Sequence, residues 1–336
     1  MQQKLCLLSG SSIWTISEWD GESSSAMTTM TTMTTTTITV SDGPHGVRRP
    51  LSDLNLQESH PATCFPAGCA MAASWSVDAL HQLGQALARE CEYYNISVLL
   101  GPAMNLKRHP CGGRNLEYFS EDPFLSGTLA AAYVRGVQAT GHVGACLKHF
   151  AANNQESHRF VVNAIVDPRS LRELYLKSFE IAIRDANPAM VMGAYNRLNG
   201  VYCCENPWLL QDVLRKEWKY QGVCVTDWGA TNDRVAAVKA GMDVEMPGNG
   251  GVHNERLLQE CQNDPLFEKC VDASVTRIRN LMQRYPPPKS NRPQRENDDD
   301  ETNVFDFNHD IAYRLALECI VLLKNDNNIL PLAKDT

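Results

Sequence analysis

The stretch DPRSLRELYLKSFEIAIRDANPAMVMGAYN, residues 167–196, decides the fold. Asp167-Pro168 is a helix start: a short carboxylate caps free N–H groups, and the proline's fixed φ suits the first turn. Leu171, Leu174, Tyr175, Phe179 and Ile183 then recur at helical spacing, so one face of this helix is expected to pack on a sheet. The apolar run 189–194 reads as a buried strand and ends on Tyr195 and Asn196.

Outward from this unit the same alternation repeats. Strand-like runs fall at 38–40, 96–100, 143–147, 223–226 and 242–246. Helix-like stretches fall at 76–93, 124–140, 207–218, 232–240 and 271–284, and Asn206-Pro207 repeats the polar-cap-then-proline start. Repeated βα units imply a parallel sheet with helices outside. Their number favours a closed, TIM-like (β/α)8 barrel, an α/β fold irregular in its first units. Two stretches interrupt the pattern. Residues 26–37 (AMTTMTTMTTTT) give no amphipathic face and are expected as a surface loop before the first strand. Residues 286–302 (PPPKSNRPQRENDDDET) begin with three prolines and read as a linker. Beyond them 311–319 looks helical and 320–323 (Ile-Val-Leu-Leu) looks like a strand. A helix and one strand cannot bury a core. The expected organisation is therefore a barrel over 1–284, a linker over 285–305 and, over 306–336, the incomplete start of a second α/β domain.

The chain has 336 residues, about twice a typical single domain of ~150. With 43% hydrophobic and 21% charged residues, a disordered chain, a collagen-like fibre and a small disulfide scaffold are excluded. Lys+Arg 31 against Asp+Glu 39 leaves a net charge of -8, which argues against a nucleic-acid partner. No apolar run approaches the ~18 residues of a membrane span, and the apolar start is too short for a signal peptide. The chain is expected to be soluble, with no membrane partner, and cytoplasmic. Its twelve cysteines are scattered without Cys-x-x-Cys or zinc spacing, so free thiols are expected, with no metal and no cofactor.

In a barrel, chemistry collects where strands end. Asp42 follows 38–41, Lys148 and His149 follow 143–147, Tyr195 follows 189–194, and Asp227 and Trp228 follow 223–226. One strand-end carboxylate is no more than a turn former. Caps, however, do not need Lys, His, Tyr and Trp beside them. Arg114, Arg159 and Lys148 supply cationic donors, Asp42 accepts from paired hydroxyls, and Trp228 offers a flat face to a sugar ring. A lysine or arginine near Asp227 would favour its ionised form, and an ionised carboxylate can attack an anomeric carbon.

SDGPHGVR (41–48), GRNLEYFSEDP (113–123), KHFAANNQESHR (148–159), MGAYNRLNG (192–200) and VTDWGA (225–230) resemble glycoside hydrolase family 3, particularly its β-glucosidases. VLLKNDNNILPL (321–332) resembles the segment where that family's second domain begins. The resemblance implies a retaining glycosidase that releases terminal β-D-glucosyl residues from β-glucosides or short β-glucans, with Asp227 as nucleophile. It places Asp42, Arg114, Lys148, His149, Arg159, Tyr195 and Trp228 around the non-reducing-end sugar, with Tyr195 near Asp227. In two-domain members the acid/base is a glutamate of the second domain. None is therefore assigned here, and the missing domain is expected to complete the site. The alternatives are a β-xylosidase or β-N-acetylhexosaminidase of the same family, a Schiff-base aldolase using Lys148, and a sugar-binding barrel without turnover.

Three sets of acidic residues have plainer readings. Glu117, Glu121 and Asp122 are expected to cap the helix that follows. Glu156 and His158 lie close to Arg159, where the family's N-acetylglucosamine-specific members carry a glycine-rich loop that is missing here. Asp243 and Glu245 alternate on an apolar strand, either toward the barrel mouth or in structural ion pairs.

Overall fold

Six strands form one sheet, in the order β1 (Thr15–Ser17), β2 (Thr37–Asp42), β3 (Val98–Leu100), β4 (Gly144–Phe150), β5 (Met190–Gly193) and β6 (Val223–Thr226). The structure is a computed structural model that describes residues 1–18, 36–53, 55–287 and 301–333. β1 runs antiparallel to β2, with Ile16 opposite Ile38. Every later pair is parallel: Val40 with Val98, Leu99 with Ala145, Leu147 with Val191 and Val191 with Cys224. Past β6 the ring continues through single parallel bridges, Val225 to Val244 and Glu245 to Ser9, and residues 10–14 lead back into β1. The stretch 242–246, expected as a full strand, holds its place by one bridge on each side. Its ladder is irregular because the N–H groups of Asp243 and Val244 both donate to the Cys224 carbonyl. The architecture is a TIM-like α/β fold.

Alternation along the strands decides what faces inward, because successive side chains leave a strand on opposite sides. Ile38, Val40, Val98, Leu100, Cys146, Met190, Met192, Val223 and Val225 share one apolar cluster with Val244 and Met246. Their neighbours Leu99, Ala145, Leu147, Val191 and Cys224 belong to another, packed on helices Val77–Tyr93, Pro123–Val137 and Lys177–Ala186. Extended by one step, the first series reaches Asp42 on β2, Lys148 on β4 and Asp227 just past β6. The period that builds the interior thus carries three polar side chains to one end of it.

The helix starts behave as their caps dictate. Asp167 accepts from the N–H groups of Arg169 and Ser170 at 3.1 and 3.0 Å, and Asn206 from Leu209 at 3.1 Å. The segments that follow, Leu171–Tyr175 and Trp208–Glu217, are π-helical. The wider turn shifts the buried face, so Leu176 is buried and Leu174 exposed, against the α-helical spacing. The last barrel helix starts earlier than expected, at Pro265–Arg284, capped by Asp264 on the Leu266 N–H at 2.9 Å. Helices Gln2–Leu7, Gly68–Ala73 and Asn254–Asn263 add to the expected set.

Asp243 is fully buried and structural. It accepts from Arg215 (2.9 Å), Arg277 (2.7 Å), Ser274 (2.8 Å) and the Cys224 N–H (2.8 Å), tying two helices to β6. Glu245 binds His253 and Asn249, both at 2.9 Å, and lies 3.8 Å from Arg234. Neither is free for chemistry.

Of the threonine-methionine stretch, residues 26–35 lie outside the described residues, and Thr37 already belongs to β2. Most of the expected linker, 288–300, lies outside them too. Helix Glu301–Cys319 packs on Val77–Tyr93. Asn308 donates to Ala86 O (3.0 Å) and Glu90 Oε1 (2.8 Å), while Ile311, Ala312 and Leu315 join the barrel's core. Residues 320–323 form no strand. They are exposed and pair with no strand among the described residues. All twelve cysteines are free, and no helix among the described residues is long and apolar enough to cross a membrane.

Candidate active site

Asp42, at the end of β2, receives a hydrogen bond from the Lys148 ammonium of β4. Burial pushes the Asp42 carboxyl up, but the charge and hydrogen bond of Lys148 outweigh it, and the net position lies below the ordinary carboxylate value. On the far side stands Asp227. Its Oδ1 accepts from the Trp228 N–H at 2.8 Å, and its Oδ2 lies 3.5 Å from His149 Nε2. His149 is wholly buried and further disfavoured as a cation by Arg114, Lys148 and Arg159, so its imidazole is neutral.

The Asp227 carboxyl departs from the sequence expectation. Lys148 and Arg114 do act to lower it, as do the Trp228 N–H and Tyr195. Burial is the larger effect, and the carboxyl lies above its ordinary value. Neighbouring cations are legible in a sequence, whereas the water removed from around a side chain is not.

Tyr195 links the two remaining groups. Its hydroxyl donates to the Trp228 carbonyl at 2.9 Å and also acts on Asp227. The Arg159 guanidinium stands 4.7 Å over its ring. Trp228 is fixed by its indole N–H on Ile13 O (3.0 Å) and by Trp14, 5.3 Å away between ring centres. Arg114 binds Glu117, and its charge reaches both Asp42 and Asp227. Contacts and charge effects therefore link the eight residues singled out in the sequence into one cluster.

Other residues organise it. Buried Asn105 clamps the His149 backbone, accepting its N–H at 2.9 Å and donating to its carbonyl at 2.8 Å. Tyr118 donates to Asn153 O at 3.2 Å beside Arg114. Their only sequence signal is a polar or tyrosine residue within a strand-end loop. Glu117, expected to cap a helix, instead pairs with Arg114; the cap is Asp122, on the Leu125 N–H at 2.8 Å. Glu156 holds Arg159 at 3.0 Å, and His158 is an exposed turn residue. Among the described residues no group of three or more His, Cys, Asp or Glu could hold a metal ion.

The sequence profile of the glycosyl hydrolase family 3 N terminal domain matches residues 53–281. The chain belongs to glycosyl hydrolase family 3. Among curated relatives, thermostable beta-glucosidase B of Acetivibrio thermocellus is 46% identical over 300 residues, covering 88% of this chain and 38% of that protein. The exo-alpha-(1->6)-L-arabinopyranosidase of Bifidobacterium breve is 39% identical over 336 residues, covering 99% of this chain and 42% of that protein. Among solved structures, the Bifidobacterium adolescentis GH3 beta-glucosidase superposes with a TM-score of 0.85 at 38% identity, covering 99% of this chain and 45% of that one. Beta-glucosidase 3B from Thermotoga neapolitana in complex with glucose gives 0.82 at 36% identity, covering 99% and 47%. The family 3 chain described here thus spans about two fifths of the length of the curated relatives it matches.

Proposed function

We propose that this chain is the barrel part of a longer retaining β-glucosidase, with Asp227 as its nucleophile. The observation that carries the reading is the Asp227 carboxylate at the interior end of β6, held by the Trp228 N–H beside a neutral His149. The Lys148–Asp42 pair stands across the same site. Asp42 accepts from the hydroxyls of a terminal glucose, while Lys148 and Arg159 donate to them. An Asp227 oxygen then bonds to the anomeric carbon as the bond to the aglycone oxygen breaks, and that oxygen takes a proton from an acid. Water, deprotonated by the same group, cleaves the glycosyl ester and restores the β anomer.

The acid/base belongs to a second domain outside this barrel, since helix Glu301–Cys319 still packs on the barrel itself. Support comes from the carboxylates nearby: Asp42, Glu117 and Glu156 are each bonded to a cation, Lys148, Arg114 and Arg159 respectively. The names of the relatives favour glucosides, with arabinopyranosides as the competing substrate. Proton NMR of the first product released by the full-length protein from 4-nitrophenyl β-glucoside tests the reading. β-Glucose is expected first; α-glucose contradicts it.

The pH profile provides a second prediction. A nucleophile must be ionised, and burial raises the Asp227 carboxyl. The acid limb of kcat/KM is therefore expected above the ~3.9 of a free aspartate. Asp42 is shifted the other way, so the stability it contributes is present above the unfolded value and is lost only as pH falls through its lower folded value. The loss of the Asp42 contribution therefore sets in below the limb expected for Asp227. A limb at or below the free value contradicts the assignment.

A further inference from the structure

We infer that Asn308, on the helix Glu301–Cys319, is a positioning residue for Asp42 and so for the sugar hydroxyls that Asp42 receives; this rests on the glycosidase reading above. Asn308 and Glu90 are both 0% exposed. Among the described residues, the donors to the Glu90 carboxyl are the Asn308 amide at 2.8 Å and the Thr63 N–H at 3.2 and 3.3 Å. Asn308 is saturated in turn. Its amide also donates to Ala86 O at 3.0 Å, and its oxygen accepts from Arg89 at 3.1 Å. Buried polar groups of this kind are costly unless bonded, so each one depends on the others.

Thr63 carries the contact onward. Its carbonyl lies so close to Gly46 that a Cβ there would stand 2.9 Å from it, and two residues on the Phe65 N–H donates to His45 O at 3.1 Å. Residues 63–65 thus lie against the turn that follows Asp42. That turn closes back on Asp42, whose carbonyl accepts from the Arg48 N–H at 2.9 Å and whose carboxyl accepts from the Gly43 N–H. Adhesion of the helix does not need the amide. Asn308, Ile311, Ala312 and Leu315 fall at helical spacing on one face, and the last three already bury it in the barrel's core. Apolar contacts tolerate a small rotation or slide, whereas a satisfied buried hydrogen-bond set specifies one arrangement. Asn308 therefore fixes where Glu90, Thr63 and the Asp42 turn stand.

Coupling through such a path is tested by a double-mutant cycle. In the full-length protein, kcat/KM for 4-nitrophenyl β-glucoside is compared in wild type, Asn308→Ala, Asp42→Asn and the double variant. Asn308→Ala is expected to cost about tenfold, the scale of a slight misplacement of one binding group. In the Asp42→Asn background the same change is expected to cost nothing further. Leu315→Ala loosens the same helix face without touching Glu90, and is expected to lower the unfolding temperature while kcat/KM stays near wild type. Glu90→Gln keeps the side chain's shape but one acceptor oxygen; its severalfold loss should likewise vanish beside Asp42→Asn, which serves where Asn308→Ala does not fold. No loss in Asn308→Ala, a loss that persists undiminished beside Asp42→Asn, or an equal loss in Leu315→Ala overturns the inference. Those outcomes leave the glycosidase reading standing. A wild type that hydrolyses no β-glucoside overturns that reading and the inference with it.

Discussion

Asp227→Asn in the full-length protein is expected to lower kcat for aryl β-glucosides by at least about 10⁴-fold, the scale seen when a nucleophile is removed. The amide cannot form the glycosyl ester, yet its carbonyl oxygen can keep the hydrogen bond from the Trp228 N–H. Stability should not fall. Burial raises the Asp227 carboxyl, so the charged form opposes folding at neutral pH, and a neutral amide removes that opposition. The midpoint of thermal unfolding at pH 7 is therefore expected unchanged or higher. An Asp227→Ala variant adds a further check. The space left admits azide, which attacks the anomeric carbon from the same side and restores turnover with release of α-glucosyl azide. Retained activity in the Asn variant, or a large loss of stability, contradicts the account.

The second large effect is an asymmetry between two partners in one ion pair. The Lys148 side chain is 4% exposed and that of Asp42 36%. Asp42→Ala leaves a buried ammonium without its bonded carboxylate, and breaking a buried pair costs about 3–5 kcal/mol. The remaining pull of Asp227 and the partial exposure of Asp42 reduce this to about 2–3 kcal/mol. Burial raises the Asp42 carboxyl, but a third of its side chain is exposed and Arg114 remains near, so Lys148→Met costs less, about 1 kcal/mol. Urea unfolding is expected to rank Asp42→Ala as clearly the less stable variant. Both variants should lose about 10–10²-fold in kcat/KM, because on the proposed reading each removes a charged contact to sugar hydroxyls. Equal stabilities, or the reverse order, mean that Lys148 does not depend on Asp42 for its place in the interior.

These outcomes follow from side chains whose placement was legible in different degrees. Asp42, Lys148 and Asp227 were legible as strand-end residues, but both faces of their strands are apolar, so only the structure shows that they continue the inward series. The last barrel helix could have been found from its start: Asp264-Pro265 is the same signal as Asp167-Pro168, and Asp264 caps it in the same way. Leu174 was misplaced because apolar spacing does not distinguish an α from a π turn, and the extra residue per turn rotates it into solvent. Asn105 gave no periodic signal, since its role is set by the backbone of His149, far away in sequence. The elevated Asp227 carboxyl lay beyond sequence reasoning for a related reason: the cations could be named, but the depth of burial is a property of the assembled interior. Residues 320–323 have the composition of a strand and no partner among the described residues, and a strand is a property of a pair.

The most direct measurement is to trap the full-length protein with a 2-deoxy-2-fluoro-β-glucoside carrying a reactive leaving group, digest it and map the modified peptide. The account predicts a single fluoroglucosyl adduct on Asp227, in the peptide containing Val225-Thr226-Asp227-Trp228. An adduct on Asp42, Glu117 or Glu156, or full turnover of β-glucosides with no covalent adduct formed, contradicts it.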